Sequence, residues 1–180
     1  MIKRLITFTL LLLLGGAIAA NAAPTLTIFP ANGALIGSPG TTVGWGFSLY
    51  NDSETSSLYV IQVYAEGNLG TGGGLGTFAD AIPTWTDSLV ILPNTTFIGT
   101  MAGGNPLATF KIDKNAPLSA GPVTGIISVD WEQDVEYAAG TLQALASVTT
   151  VPEPSAYILL FLSLGVVGYA RKKMKHQVET

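Results

Sequence analysis

Thr41-Thr42-Val43-Gly44-Trp45-Gly46-Phe47-Ser48-Leu49-Tyr50-Asn51 (TTVGWGFSLYN) alternates along its length between large apolar residues and small or polar ones. Side chains of an extended strand point to opposite faces in turn. Val43, Trp45, Phe47 and Leu49 are therefore expected on one face, with Gly44, Gly46, Ser48 and Tyr50 on the other. A helix would scatter the same residues around its circumference. The stretch reads as a half-buried strand, and it sets the expectation of an all-β fold.

The same grammar extends both ways. TLTIF (Thr25 to Phe29) reads as a first short strand and Pro30-Ala31-Asn32-Gly33 as a turn. Asp52 to Ser56 is a polar turn. SLYVIQVYAEG (Ser57 to Gly67) is apolar at both parities, the pattern of a central strand. SLVIL, TTFIGTM and LATFKID are short strands, separated by Pro93-Asn94 and Gly103-Gly104-Asn105-Pro106. GIISVDWEQDVEY (Gly125 to Tyr137) and TLQALASVTT (Thr141 to Thr150) close the series. FKIDKNAPLSAGPVTGIISVDWE runs strand, proline loop, strand, which suits a sandwich edge or a hairpin. Seven or eight short strands punctuated by Gly, Pro and Asn predict an antiparallel β-sandwich, Ig-like or jelly-roll.

Both ends of the chain differ from this body. Lys3 and Arg4, the apolar run Leu5 to Leu14 and the small-residue site Ala20-Asn21-Ala22 form the three parts of a secretory signal peptide over residues 1–22. Residues 23–150 make one domain with ten acids against two bases, Lys111 and Lys114, a net charge of −8. Such a body repels phosphate, so nucleic acid is not expected as a partner. The chain has no cysteine, and its one histidine, His176, lies near the C-terminus. Thiol nucleophiles, cysteine zinc sites and histidine-based triads lack their ingredients in the body. A carboxylate pair could still run glycoside hydrolysis, but nothing selects a pair among ten acids. A non-enzymatic protein is the expectation.

DWEQDVE is the most unusual stretch. On a strand, Asp130, Glu132, Asp134 and Glu136 share one face. A calcium site is one reading, because hard cations take several carboxylate oxygens. Residues i and i+2 of a strand stand about 6.5–7 Å apart, which is wide for one ion. A solvated face that discourages sheet-to-sheet association is the reading this spacing favours. GTGGGLGTFA (Gly70 to Ala79) contains G-x-G-x-x-A, but Pro83 follows where a helix would be needed and the expected acid is missing. It is read as a flexible loop. Asn51-Asp52-Ser53 and Asn94-Thr95-Thr96 match the N-glycosylation triplet and are read as turn residues. Trp45 and Trp131 fall on apolar strand faces and are expected in the core. Trp85, in PTWTDS, is the candidate for an exposed ring that stacks on a sugar.

At the far end, Ala156 to Ala170 are 15 uncharged, mostly apolar residues, about 22 Å as a helix against roughly 30 Å of hydrocarbon. Arg171, Lys172, Lys173 and Lys175 follow at once, which places them in the cytoplasm and the body outside. Pro152 and Pro154 hold the preceding chain extended and present Glu153 just outside the membrane. Val151-Pro152-Glu153-Pro154-Ser155, the short apolar helix and the basic cluster together resemble the PEP-CTERM sorting signal of Gram-negative bacteria, over residues 151–175, with a cytoplasmic tail at 176–180. Gly44 to Leu49, followed by Asn51-Asp52, is similar to a strand-turn segment of some PEP-CTERM passenger domains. The resemblance implies export across the inner membrane and a transient anchor. It also implies processing by an exosortase-type membrane protease, and delivery to the cell surface or an extracellular matrix of exopolysaccharide and biofilm. A carbohydrate-binding module for that exopolysaccharide is the alternative for the body, with a glycan-processing enzyme behind it.

Overall fold

A computed structural model describes residues 23–84, 86–118, 121–134, 138–152 and Leu162. Residues 1–22, read above as a signal peptide, Trp85, Glu136, Glu153, Pro154, the apolar run apart from Leu162, and the basic cluster lie outside the described residues. Among the described residues, no helix is long and apolar enough to cross a membrane.

Among the described residues, ten strands form two sheets. They are β1 (Thr25–Phe29), β2 (Ala34–Gly37), β3 (Thr42–Asn51), β4 (Leu58–Gly67), β5 (Gly76–Asp80), β6 (Leu89–Ile91), β7 (Thr95–Gly99), β8 (Ala108–Ile112), β9 (Val123–Gln133) and β10 (Ala139–Thr150). The first sheet runs β1-β3-β8-β5, with β7 also on β3; the second runs β2-β10-β9-β4-β6. β7 pairs with Phe47–Asn51 and β8 with Thr42–Trp45, so the two lie end to end along β3. The excursion between them is closed by a bond from Asn105 N–H to the Thr100 carbonyl (3.0 Å).

The β3 reading holds residue by residue. Trp45, Phe47 and Leu49 are fully buried and meet Ile127, Val129 and Trp131 from the opposite sheet in one core. The Trp45 indole N–H donates to the Gly33 carbonyl (2.8 Å), which ties the core of the first sheet to the turn that opens the second. Gly33 has φ +66°, and a Cβ there would collide with the Leu145 carbonyl oxygen. Only glycine satisfies both conditions.

Four expectations need correction. The Pro30–Gly33 turn leads into a further strand that was not expected and that lies in the other sheet. β1 pairs antiparallel with β3, and after the Pro30–Gly33 turn β2 pairs parallel with β10. The sandwich is therefore antiparallel except at that edge. The segment after β8 is not a hairpin: β8 belongs to the first sheet and β9 to the second, so the proline loop crosses the sandwich. GTGGGLGTFA is only half a loop. A 3-10 turn at Gly72–Gly74 leads into β5, which pairs with β8 from Gly76↔Ile112 to Asp80↔Ala108. Nor is β4 apolar on both faces, and the reason builds the site described next.

One end of the sandwich is closed by a buried polar hub. Asn51, fully buried, donates its Nδ2 to the carbonyls of Ser56 (2.8 Å), Ile91 (3.0 Å) and Leu92 (3.3 Å). Its Oδ1 accepts from Gln133 Nε2 (3.1 Å) and Ser53 N–H (3.2 Å). Asn94, at φ +52°, sits in the neighbouring turn and accepts from the Tyr50 hydroxyl (2.6 Å). Asn94 is thus a turn residue, as expected, whereas Asn51 is a buried residue at the end of β3 and not a turn residue.

Candidate functional site: a tyrosine and carboxylate face

The β4 sequence LYVIQVYAEG looks apolar at both parities because one residue is extra. Val60 pairs with Trp131 and Gln62 with Asp130, leaving Ile61 as a β-bulge. The bulge resets the alternation. Leu58, Val60 and Val63 are buried and Ala65 packs against the core, while Tyr59, Gln62, Tyr64 and Glu66 take the outer face. With Ile61 set aside, β4 is a clean amphipathic strand.

β9 and β10 complete that face. Pairing sets Tyr64, Ser128 and Gln143 in one row across three strands, Gln62, Asp130 and Thr141 in the next, and Tyr59, Glu132 and Ala139 in the third. Gln143 Nε2 donates to Ser128 Oγ (3.3 Å), and Ser128 Oγ donates to Glu66 Oε1 (3.2 Å). Thr141 Oγ1 donates to Asp130 Oδ1 (2.6 Å). At the end of β9, Asp134 Oδ1 accepts from Ser57 N–H (2.9 Å), and the Tyr59 hydroxyl lies 3.5 Å from Oδ2. Rows on one face are about 6.5–7 Å apart, so the two tyrosines stand about 13 Å apart along the sheet. Among the described residues this face holds no base. Lys111 lies on the first sheet, paired opposite Thr42 and Thr77.

The candidate calcium ligands fall on successive rows rather than around one point. Asp130 and Asp134 are each held by a separate donor, Glu132 is exposed beside Tyr59, and Glu136 lies outside the described residues. Among the described residues no group of three metal-ligating side chains is assembled. Trp45 and Trp131 are core residues, while Trp85 lies outside the described residues. Of the residues expected to form a sorting motif, Val151 is described with its N–H on the Gly37 carbonyl (3.0 Å), and Pro152 is half-buried. Tyr59, Gln62, Tyr64, Glu66, Ser128, Thr141 and Gln143 escaped the sequence reading. The alternation that would have shown the β4 members is broken at Ile61.

Another carboxylate has a different role. Asp80, at the end of the edge strand β5, faces inward and accepts from Ile82 N–H (2.9 Å). Burial raises its pKa, and the N–H groups of Ile82 and Val63 draw it partly back. β6 covers only Leu58–Val60 of β4, so an inward charge on β5 that reaches Val63 guards the two open edges together.

No protein-family model matches the chain, and no curated protein matches it by sequence. Solved structures of similar layout include AggA, the major subunit of aggregative adherence fimbriae type I from Escherichia coli (11% identity, 74% of this chain and 98% of that one, TM-score 0.40). They also include a family 123 glycoside hydrolase from Clostridium perfringens (14% identity, 73% of this chain and 28% of that one, TM-score 0.36). BcpA, the major pilin subunit of Bacillus cereus, is a third (12% identity, 72% of this chain and 41% of that one, TM-score 0.34). The chain thus spans less than half of the last two proteins. Likenesses at this level carry nothing about activity.

Proposed function

We propose that the chain is an exported, non-enzymatic protein of the cell surface or matrix. Residues 1–22 direct export, and the PEP-CTERM-like segment 151–175 is read by an exosortase-type protease. The sandwich is the cargo. The outer face of the second sheet is the surface that meets exopolysaccharide. One observation carries this reading: Tyr59 and Tyr64 share a solvent-facing sheet with Gln62, Gln143 and four carboxylates, with no base among them. Tyrosine rings offer flat apolar faces with a polar tip, and carboxylates and amides take hydroxyl hydrogen bonds. An open sheet also suits a polymer better than a small molecule, which needs a concave pocket.

Binding of the processed protein to the producing cell's own polysaccharide tests this. Tyr59→Ala and Tyr64→Ala should each weaken binding about ten-fold, equivalent to about 1.4 kcal/mol, with the melting temperature unchanged. Full binding by the double variant would remove this face from the proposal, and loss on Trp85→Ala would move the contact there. Turnover of the polysaccharide would replace the binding reading with an enzymatic one. Sorting is tested separately by intact mass: surface material should lack the tail beyond Pro152 to Ser155. A retained tail that is indifferent to Glu153→Ala would end the sorting reading.

A further inference from the structure

We infer that the end of the sandwich from which the chain leaves at Val151 is a seat for an anionic lipid surface, so that the domain stands upright with its acidic end away from the membrane. This rests on the reading of Ala156 to Ala170 as membrane-embedded.

The chain's exit is fixed in the fold. Val151 bonds to Gly37, and Thr150 Oγ1 donates to the Pro117 carbonyl (3.1 Å). Gly40 N–H bonds to the Ile112 carbonyl (3.1 Å), and the Lys114 side chain lies over Gly40. The exit, the Gly37–Thr41 turn and the loop after β8 therefore make one end. That end presents both bases of the body, Lys111 and Lys114, and the exposed apolar side chains of Ile36, Leu118 and Val151 (65%, 50% and 36% exposed). Asp113 is the acid of that loop, and Glu66 lies near the same end on the second sheet. The opposite end gathers Asp52, Glu54, Glu132 and Asp134 around the Asn51 hub, with no base among its described residues.

Three lengths decide the orientation. Pro152 to Ser155 span at most about 14 Å when extended, so the exit end is held against the headgroups. β10 has 12 residues and separates the two ends by about 36 Å. Surface potential decays over about 8 Å at physiological salt, so the acidic end stands outside it while Lys111 and Lys114 stand within. Lying flat on the second sheet would instead press Glu66, Asp130, Glu132 and Asp134 onto like charge.

The chain has no cysteine, so a single introduced one takes a unique fluorophore. Full-length protein is reconstituted in phosphatidylglycerol–phosphatidylcholine vesicles containing a headgroup spin-labelled lipid. A label at Leu118→Cys, or at Asn115→Cys should that variant misfold, is expected to be quenched several-fold more than one at Glu54→Cys. The charge reversals Lys111→Glu and Lys114→Glu should lower that quenching in anionic vesicles and leave it unchanged in zwitterionic ones. Equal quenching at both ends, or indifference to charge reversal, in protein that still floats with vesicles overturns the lipid seat alone. Failure of the full chain to float overturns the anchor reading and the seat with it.

Discussion

Gln133 Nε2 lies 3.1 Å from Asn51 Oδ1, a buried hydrogen bond that joins the end of β9 to the end of β3 across the sandwich. Around it the Asn51 amide satisfies three backbone carbonyls from the loop after β3 and the end of β6. Asn51→Leu keeps the branching at Cγ but adds volume and leaves those carbonyls without their donor. It should cost about 3 kcal/mol or more, read as a lower urea midpoint with unchanged slope. Gln133→Leu should cost less, and a double-mutant cycle should return about 1 kcal/mol of coupling. A cycle that closes at zero would show that the pair does not act as a unit.

Deleting Ile61 offers a sharper test of the β4 register. Without it the strand alternates regularly, with Val60 and Val63 inward and Tyr59, Gln62 and Tyr64 outward, so the fold should survive with a loss of about 1–2 kcal/mol. Deleting Val63 instead moves Tyr64 and Glu66 to the core face and should abolish cooperative unfolding. Equal tolerance of the two deletions would contradict the bulge.

Gly33 carries two demands that no other residue meets. Gly33→Ala should cost about 3 kcal/mol through the Leu145 collision and the positive φ. Trp45→Phe loses only the indole bond and some packing, about 1–2 kcal/mol. Thermal denaturation ranks the two, and the reverse order would refute the account of the turn.

Asp80 sets a pH dependence whose sign is fixed. Burial raises its folded pKa above the ordinary 3.8, so the folded state holds the proton more tightly than the unfolded chain. Its contribution is complete below that value and declines as pH rises through the interval above it, until the folded carboxyl ionises. Asp80→Asn removes this titration. The variant should therefore gain on the parent as pH rises from acid towards neutral. A constant difference between the two would show that Asp80 is not shifted.

Calcium should leave the domain unmoved. Asp130 and Asp134 each have their own donor, and Asp130, Glu132 and Asp134 lie on successive rows. Millimolar calcium should therefore shift the melting temperature of the full chain by less than about 1 °C. A rise of several degrees that is reversed by chelation would show that loop ligands complete a site.

Residues 41–51 by themselves determined the β class, because alternation is local and Trp45, Phe47 and Leu49 have only one face to share. The turns at Pro30–Gly33 and Asp52–Ser56 were legible for a similarly local reason: proline fixes φ, glycine admits positive φ, and asparagine, aspartate and serine bond to nearby backbone groups. Charge was also readable in advance, since ten acids and two bases need no fold to be counted. Tertiary structure alone decided that the chain passes from one sheet to the other between β1 and β2, and that β7 and β8 lie end to end on β3. It also decided the burial of Asn51 with Gln133. Each depends on partners distant in sequence: Asn51 and Gln133 are 82 residues apart. The tyrosine face lies between the two cases. Its residues were in view, but the bulge at Ile61 inverts their parity, and a bulge is defined only against the partner strand.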